Sequence, residues 1–215
     1  MIVFHTILNN IYLGNIKSKK KNFLKNYILY NYNNFNFFNP KKVIINLFLI
    51  KKYLKNFFLN EKKILFVSTK NFLRELIYKY ARALKQNYIC NKWIGGILTN
   101  TKNYKKILNH SIILKKKRHM NFTKKEKSLF LKKEKKIEIL YGGLKKMFNI
   151  PDLIIITDIK KDKIAINEAK RLKIKILALV DSDDDFENID FIIPCNNNSI
   201  SCVKLIFKIL FSDIC

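Results

Sequence analysis

Chemistry on nucleotides would show first in the loops that follow strands, and these loops carry few of the residues it needs. After the apolar run Ile64-Leu65-Phe66-Val67 the chain reads Ser68-Thr69-Lys70-Asn71-Phe72. It has neither the G-x-G-x-x-G nor the G-x-x-x-x-G-K spacing that lets backbone approach a pyrophosphate. The acidic stretch Asp181-Ser182-Asp183-Asp184-Asp185 follows another predicted strand. A calcium loop of the EF-hand type needs Gly at its sixth position and Glu at its twelfth; Phe186 and Ile192 stand there instead. A solvated loop is therefore expected, with a Mg²⁺ shared with RNA as its one ligand-binding use. Asp158 and Asp162 flank Lys160-Lys161 and read as turn and helix-start residues, not as an acid–base pair. His5, His110 and His119 form no ligand pattern, and Cys90, Cys195, Cys202 and Cys215 lack C-x-x-C spacing. No zinc site is expected, and the thiols suit a reducing compartment. These residues give no reason to expect an enzyme.

Two other stretches point to binding. Lys17, Lys19, Lys20, Lys21 and Lys25 are interleaved with Asn22, Phe23 and Asn26, a composition that fits a phosphate-contacting arm with aromatic anchors. The run from Asn91 to Asn100 holds the only tryptophan, Trp93, beside Gly95-Gly96. Glycines in such a place let backbone bend or pass close to something. In the bland reading Trp93 packs over a sheet edge. In the functional reading Lys92, Asn100 and Lys102 line a backbone approach to RNA phosphate, with Trp93 among them. A third basic group, Lys115-Lys116-Lys117-Arg118, supplies Lys116 and Arg118 as candidates.

These residues need elements to hold them. Residues 1–14 read as a short helix. Tyr27 to Tyr30 and Phe35 to Phe38 flank Asn31-Tyr32-Asn33-Asn34, which suits a β-hairpin that Pro40 closes. Residues 43–59 carry apolar positions at helical spacing. From residue 64 a beat of strand then helix sets in: strand 64–67, helix 71–86, strand 88–90, strand 153–156, helix 163–172, strand 176–180, strand 191–193 and helix 199–211. Such repetition implies an α/β fold with a parallel sheet flanked by helices. Residues 102–148 interrupt it. Tyr104, Ile107, Leu108 and Ile112 make one helical stripe, and Phe130, Ile137, Leu140, Tyr141 and Leu144 another. Thr123-Lys124-Lys125-Glu126 matches a capping box, and Gly142-Gly143 ends the second helix. Two amphipathic helices joined by a basic turn predict a protruding antiparallel coiled-coil hairpin. The expected division is a body of residues 1–101 and 149–215 and a hairpin of residues 102–148.

Charge narrows the partner. The 215 residues carry 43 Lys and Arg against 16 Asp and Glu, a net +27. Residues 1–125 hold 27 of the basic side chains and only two acidic ones, Glu61 and Glu75. A merely soluble surface would intersperse its signs, so one face is expected to bind a polyanion. Nucleic acid is the leading candidate and an anionic membrane surface the alternative. No apolar stretch reaches the ~18 residues a bilayer-spanning helix requires. Met1 to Leu8 lacks a basic n-region and a small-residue cleavage site, so no signal peptide is expected. Lys, Asn, Ile, Phe and Tyr dominate while Gly (5) and Pro (3) are rare. That bias points to an A/T-rich organellar or reduced genome.

Several motifs in order resemble the small-subunit ribosomal protein S-two family. Asn91–Asn100 is similar to its R-W-L-G-G-T-L-T-N signature, and Ile64–Lys70 to V-L-F-V-G-T-K. Gly142 through Asp152 resembles G-G-I-K-x-M…P-D, Ala178–Asp181 resembles A-I-V-D, and Ile189–Ile200 resembles I-D-Y-x-I-P-x-N-D-D-x-I. The resemblance implies a flavodoxin-like (Rossmann-like) sheet with an inserted coiled-coil hairpin. It also implies a structural role in translation, on small-subunit ribosomal RNA and beside other small-subunit ribosomal proteins. No cofactor, membrane or small-molecule substrate is implied. The chain departs from the pattern in three places. Leu13-Gly14-Asn15 through Lys25 matches only weakly, Asn196-Asn197-Asn198 replaces Asn-Asp-Asp, and Lys92 stands where the family has Arg. Lysine lacks the bidentate phosphate fork of arginine. The divergence suits an organellar ribosome, mitochondrial first, with plastid or apicoplast as alternatives. A nucleotide-binding Rossmann-like enzyme is the competing functional class.

Overall fold

The computed structural model describes residues 13–16, 25–32, 35–118, 123–147, 149–187 and 189–213. A small antiparallel sheet comes first, from β1 (Leu13–Ile16), β2 (Ile28–Tyr32) and β3 (Phe35–Phe38), in the order β1-β3-β2. Leu13 and Gly14 thus lie in a strand, not in the helix expected over residues 1–14; pairing with β3 decides where local propensity does not. Residues 1–12 fall outside the described set. Pro40 does not close the hairpin but opens the next helix, α1 (Pro40–Leu59). Proline suits that first helical position because its missing N–H has no partner there. Asn39 caps the helix, its side chain accepting from the backbone N–H of Lys41 at 3.1 Å and of Lys42 at 3.4 Å.

The main sheet holds β4 (Ile64–Val67), β5 (Asn87–Ile89), β6 (Leu153–Ile156), β7 (Lys175–Val180) and β8 (Phe191–Pro194), all parallel, in the order β5-β4-β6-β7-β8. Successive strand residues point to opposite faces, yet all four residues of β4 and all four of β6 are buried. Both faces are therefore covered, as a parallel sheet requires. On one face Phe66 meets Phe207 and Phe211 edge-on, with ring centroids 6.2 and 5.7 Å apart. Tyr80 and Phe58 join the same aromatic cluster. They bring together α1, α2 (Arg74–Ala83) and the last helix, which is defined below. The helix expected over 71–86 is shorter at both ends: a 3-10 turn covers Asn71–Leu73, and Lys85 leaves the helix at φ 54°.

Two helices are inserted between β5 and β6, α3 (Thr101–Arg118) and α4 (Lys124–Tyr141), and they pack on one another. Thr123 and Glu126 form the full reciprocal capping box. Tyr104 is buried, and its hydroxyl donates to the carbonyl of Met147 at 2.9 Å, tying the start of α3 to the segment that follows α4. Ile112, expected on the packed stripe, is exposed. Residues 119–122 of the connecting turn lie outside the described set. The chain ends with α5 (Lys163–Arg171) and α6 (Ile200–Phe211), the latter capped by Ser199.

Candidate nucleic-acid interface

The loop from Cys90 to Asn100 leaves β5 and enters α3. It is held from below by one carboxylate. Trp93 is only 5% exposed, and its ring N–H donates to Glu168 Oε1 at 3.0 Å. The same oxygen accepts the backbone N–H of Gly96 at 2.8 Å. Glu168 Oε2 accepts those of Leu98 at 3.1 Å and Thr99 at 3.4 Å. A buried carboxylate is costly unless such donors surround it, and four do. Gly96 sits at φ +90°, a conformation that side chains with a Cβ rarely adopt, which lets its N–H turn inward. Asn91 anchors the loop to α4 by donating from Nδ2 to the carbonyl of Ile139 at 2.6 Å.

The sequence-predicted residues sort themselves on this frame. Lys92, Asn100 and Lys102 are exposed around the loop. Asn100 also caps α3, its Oδ1 accepting from the Asn103 N–H at 3.3 Å. Trp93 faces the core, which agrees with the packing alternative for that ring. The N–H groups of residues 96, 98 and 99 turn to Glu168, so they do not form the backbone approach to phosphate considered for this loop. Lys25 begins a 3-10 turn, Lys25–Tyr27, and Lys116 and Arg118 end α3; their side chains lie outside the described set, as do Lys17, Lys19, Lys20 and Lys21 altogether.

Glu168 itself gave a faint sequence signal. It falls between Ala165, Ile166 and Ala169 on the buried side of α5, where an acid has no business unless it has partners.

Nothing local in the sequence marks Lys70. In a sheet of this strand order a ligand sits outside the carboxyl ends of the strands, where β4 and β6 send their chains in opposite directions. Here that crevice holds Lys70, only 3% exposed. Its ammonium lies 3.2 Å from Asp158 Oδ2 and donates to Asn197 Oδ1 at 2.7 Å, Asn198 Oδ1 at 2.8 Å and the Asn197 carbonyl at 3.0 Å. Asp158 in turn accepts the backbone N–H groups of Lys160 and Lys161, as a turn residue does. A cation and its acceptors fill the place of a phosphate.

The acidic loop belongs to this network, and the expectation that it is solvated is corrected. Asp181, Ser182 and Asp184 are buried. Asp184 Oδ2 accepts the Asp181 N–H at 2.9 Å and faces Asn197 Nδ2 at 3.5 Å, while Lys160 pairs with Asp183 and Asp184. Burial raises the carboxyl of Asp184 above its ordinary range, the Asp181 N–H and Lys160 opposing that rise. Asp162 is fully buried, and burial pushes its carboxyl up to about 6; Asp158 adds to the rise, while Thr69 and Lys161 oppose it. Among the described residues no group of three or more His, Cys, Asp or Glu is arranged to hold a metal ion.

The ligand crevice of this flavodoxin-order sheet is closed by its own side chains, while Lys92 and Lys102 stand exposed beside the inserted helical pair. The model of the family described as ribosomal protein S2 matches residues 7–215. The small ribosomal subunit protein uS2 of Carsonella ruddii (strain PV) is 53% identical over 216 residues, covering 100% of both chains. That of Karelsulcia muelleri (strain GWSS) is 31% identical over 94% of this chain and 93% of its own. That of Petrotoga mobilis (strain DSM 10674 / SJ95) is 36% identical over 72% of this chain and 55% of its own. The chain belongs to the ribosomal protein S2 family.

Proposed function

We propose that this chain is a structural constituent of the small ribosomal subunit, binding its RNA and neighbouring proteins, and that it is not an enzyme. The near end-to-end likeness to relatives named as small ribosomal subunit proteins carries this reading. Physical features agree with it. Lys92 stands out from a loop that Glu168 holds in place, and exposed lysines continue along α3 at Lys102, Lys105 and Lys106. Lysines so placed supply affinity and registration on phosphates, not base readout. The N-terminal run from Lys17 to Lys25 is assigned the same role, with Lys116 and Arg118 reaching RNA from the hairpin of residues 102–148. The body of residues 1–101 and 149–215 meets neighbouring proteins. A nucleotide enzyme is disfavoured because Lys70 and its acceptors occupy the crevice such a ligand needs. Among the described residues no helix is long and apolar enough to cross a membrane.

Relatives from Carsonella ruddii and Karelsulcia muelleri support the ribosome of a bacterium with a reduced, A/T-rich genome over a mitochondrial or plastid one. Sucrose-gradient fractionation of the native extract tests the main proposal: the chain is expected in the small-subunit peak. Recovery only in ribosome-free fractions at low salt would overturn it.

A further inference from the structure

The groove between α2 and the end of α4 is bordered by the Asn91–Ile139 contact and is otherwise unused by what has been described. One wall is the outer side of α2, where Arg74, Tyr78 and Arg82 follow one another at helical spacing of four, with Lys85 just beyond. The other wall is the turn after α4, with Lys145 and Lys146 exposed on it. That turn presses hard on the edge strand β5: a Cβ on Gly143 would lie 2.1 Å from the carbonyl oxygen of Tyr88. Two hollows open between the walls, of about 450 and 250 Å³, and they share Tyr78, Tyr88 and Gly143. The larger is within reach of ligand-binding cavities, which run ~300–1,000 Å³.

Its floor is apolar and neutral. Cys90 is buried there with its thiol pushed up to about 12 by burial, Arg74 opposing, and burial also raises the Tyr88 hydroxyl above its usual range. Tyr78 stands edge-on to Tyr88, with centroids 5.3 Å apart at 90°. Arg82 fixes Tyr78 from the other side, donating to its hydroxyl at 2.8 Å while its guanidinium lies 5.8 Å from the ring centroid. Of the two acids at the rim, Glu138 is tied to Lys145, and Glu75 lies at the Arg74 end.

We infer that this groove takes an unpaired nucleotide of single-stranded RNA, its base against Tyr78 and its phosphates on Arg74, Arg82 and Lys146. Flat aromatic and guanidinium surfaces hold bases by stacking, and every base offers a face to them. A duplex hides its base faces and offers phosphates alone. An acidic peptide would satisfy the cations but leave the aromatic platform without a planar partner. The inference rests on the RNA-binding reading above and names the chemistry of one contact within it.

The test uses the full chain, a fluorescein-labelled single-stranded RNA oligonucleotide and an RNA duplex of equal length. Tyr78→Leu is expected to weaken single-strand binding roughly 5- to 150-fold, the range of one lost base stack, and to leave duplex binding unchanged. Tyr78→Phe keeps the ring and should bind as the parent does. Arg82→Gln with Lys146→Gln should lower the salt slope on single strands by about 1.4, two phosphates at ~0.7 each. Trp93 emission reports that each variant is folded. Equal losses on both probes, or none on the single strand, overturn the groove assignment. In assembled subunits, ultraviolet crosslinking is expected to join Tyr78 to an unpaired rRNA nucleotide; a crosslink at that position to a protein overturns it as well. Either failure with the chain still in the small-subunit peak leaves the ribosomal role intact, whereas absence from that peak removes both.

Discussion

Trp93 and Glu168 stand 75 positions apart in the chain and are joined by one hydrogen bond of 3.0 Å, from the indole N–H to Oε1. Through it a helix of the body governs the loop that carries Lys92 and leads into α3, where Lys102 lies. Glu168→Ala removes the acceptor of four N–H groups, three of them from loop backbone. The expected loss is about 3 kcal/mol in denaturant unfolding, with a red shift of emission as the only tryptophan meets water. Unchanged emission and stability would mean the loop is held by something else.

Lys70→Met leaves Asp158 buried without its cation and takes the donor from Asn197 and Asn198. Breaking a buried pair by removing one partner costs roughly 3–5 kcal/mol. Adding Asp158→Asn should recover part of that loss. The double variant would fall no higher than the single one if the two groups did not interact.

Asp162 offers a pH test. Its folded-state carboxyl is raised from 3.8 to about 6, so between those values the folded protein binds the proton that the unfolded chain has released. Stability from this group therefore falls as pH climbs through 6 and is regained as pH drops toward 4. The full penalty at neutral pH is about 3 kcal/mol. Asp162→Asn should stabilise the protein at pH 7.5 and only about a third as much at pH 4.5, as measured by urea unfolding at the two values. Equal effects at both would assign the change to packing.

Glycine substitutions should differ sharply along the chain. Gly143→Ala drives a methyl into the Tyr88 carbonyl, at 2.1 Å, and backbone there cannot give cheaply. A loss of about 3 kcal/mol or failure to fold is expected. Gly95→Ala meets nothing within 4 Å and should stay within about 0.5 kcal/mol of the parent. Thermal denaturation of the pair is sufficient to tell them apart.

Charge reversal of Lys19, Lys20 and Lys21 should impair entry into small subunits more than reversal of Lys170 and Lys173, which are exposed in and just after α5. Quantifying each variant in gradient fractions checks this. Equal impairment would show that total charge matters and its position does not.

The sequence made some of this legible and hid the rest for identifiable reasons. Ile64–Val67 and Leu153–Ile156 announce themselves because a strand buried on both faces must be apolar throughout. Thr123 and Glu126 were equally plain, since a capping box is written in four adjacent residues. Lys70 was not, because its meaning lies in Asn197, 127 positions away. Asp181 and Asp184 looked like a solvated run for the same reason: their partners arrive from the loop after β8. Local pattern reports who is apolar; it does not report which distant loop comes to meet a charge. The organellar expectation had a different weakness. A bias toward Lys, Asn, Ile, Phe and Tyr points to an A/T-rich genome without saying where that genome resides.

The closed crevice has a consequence for assembly. Lys70 finds its counter-charge within the polypeptide, so the sheet can mature on its own, ahead of any encounter with RNA. Folding of the body is therefore expected to need no RNA, and the lysines outside the crevice are the ones left to meet a polyanion.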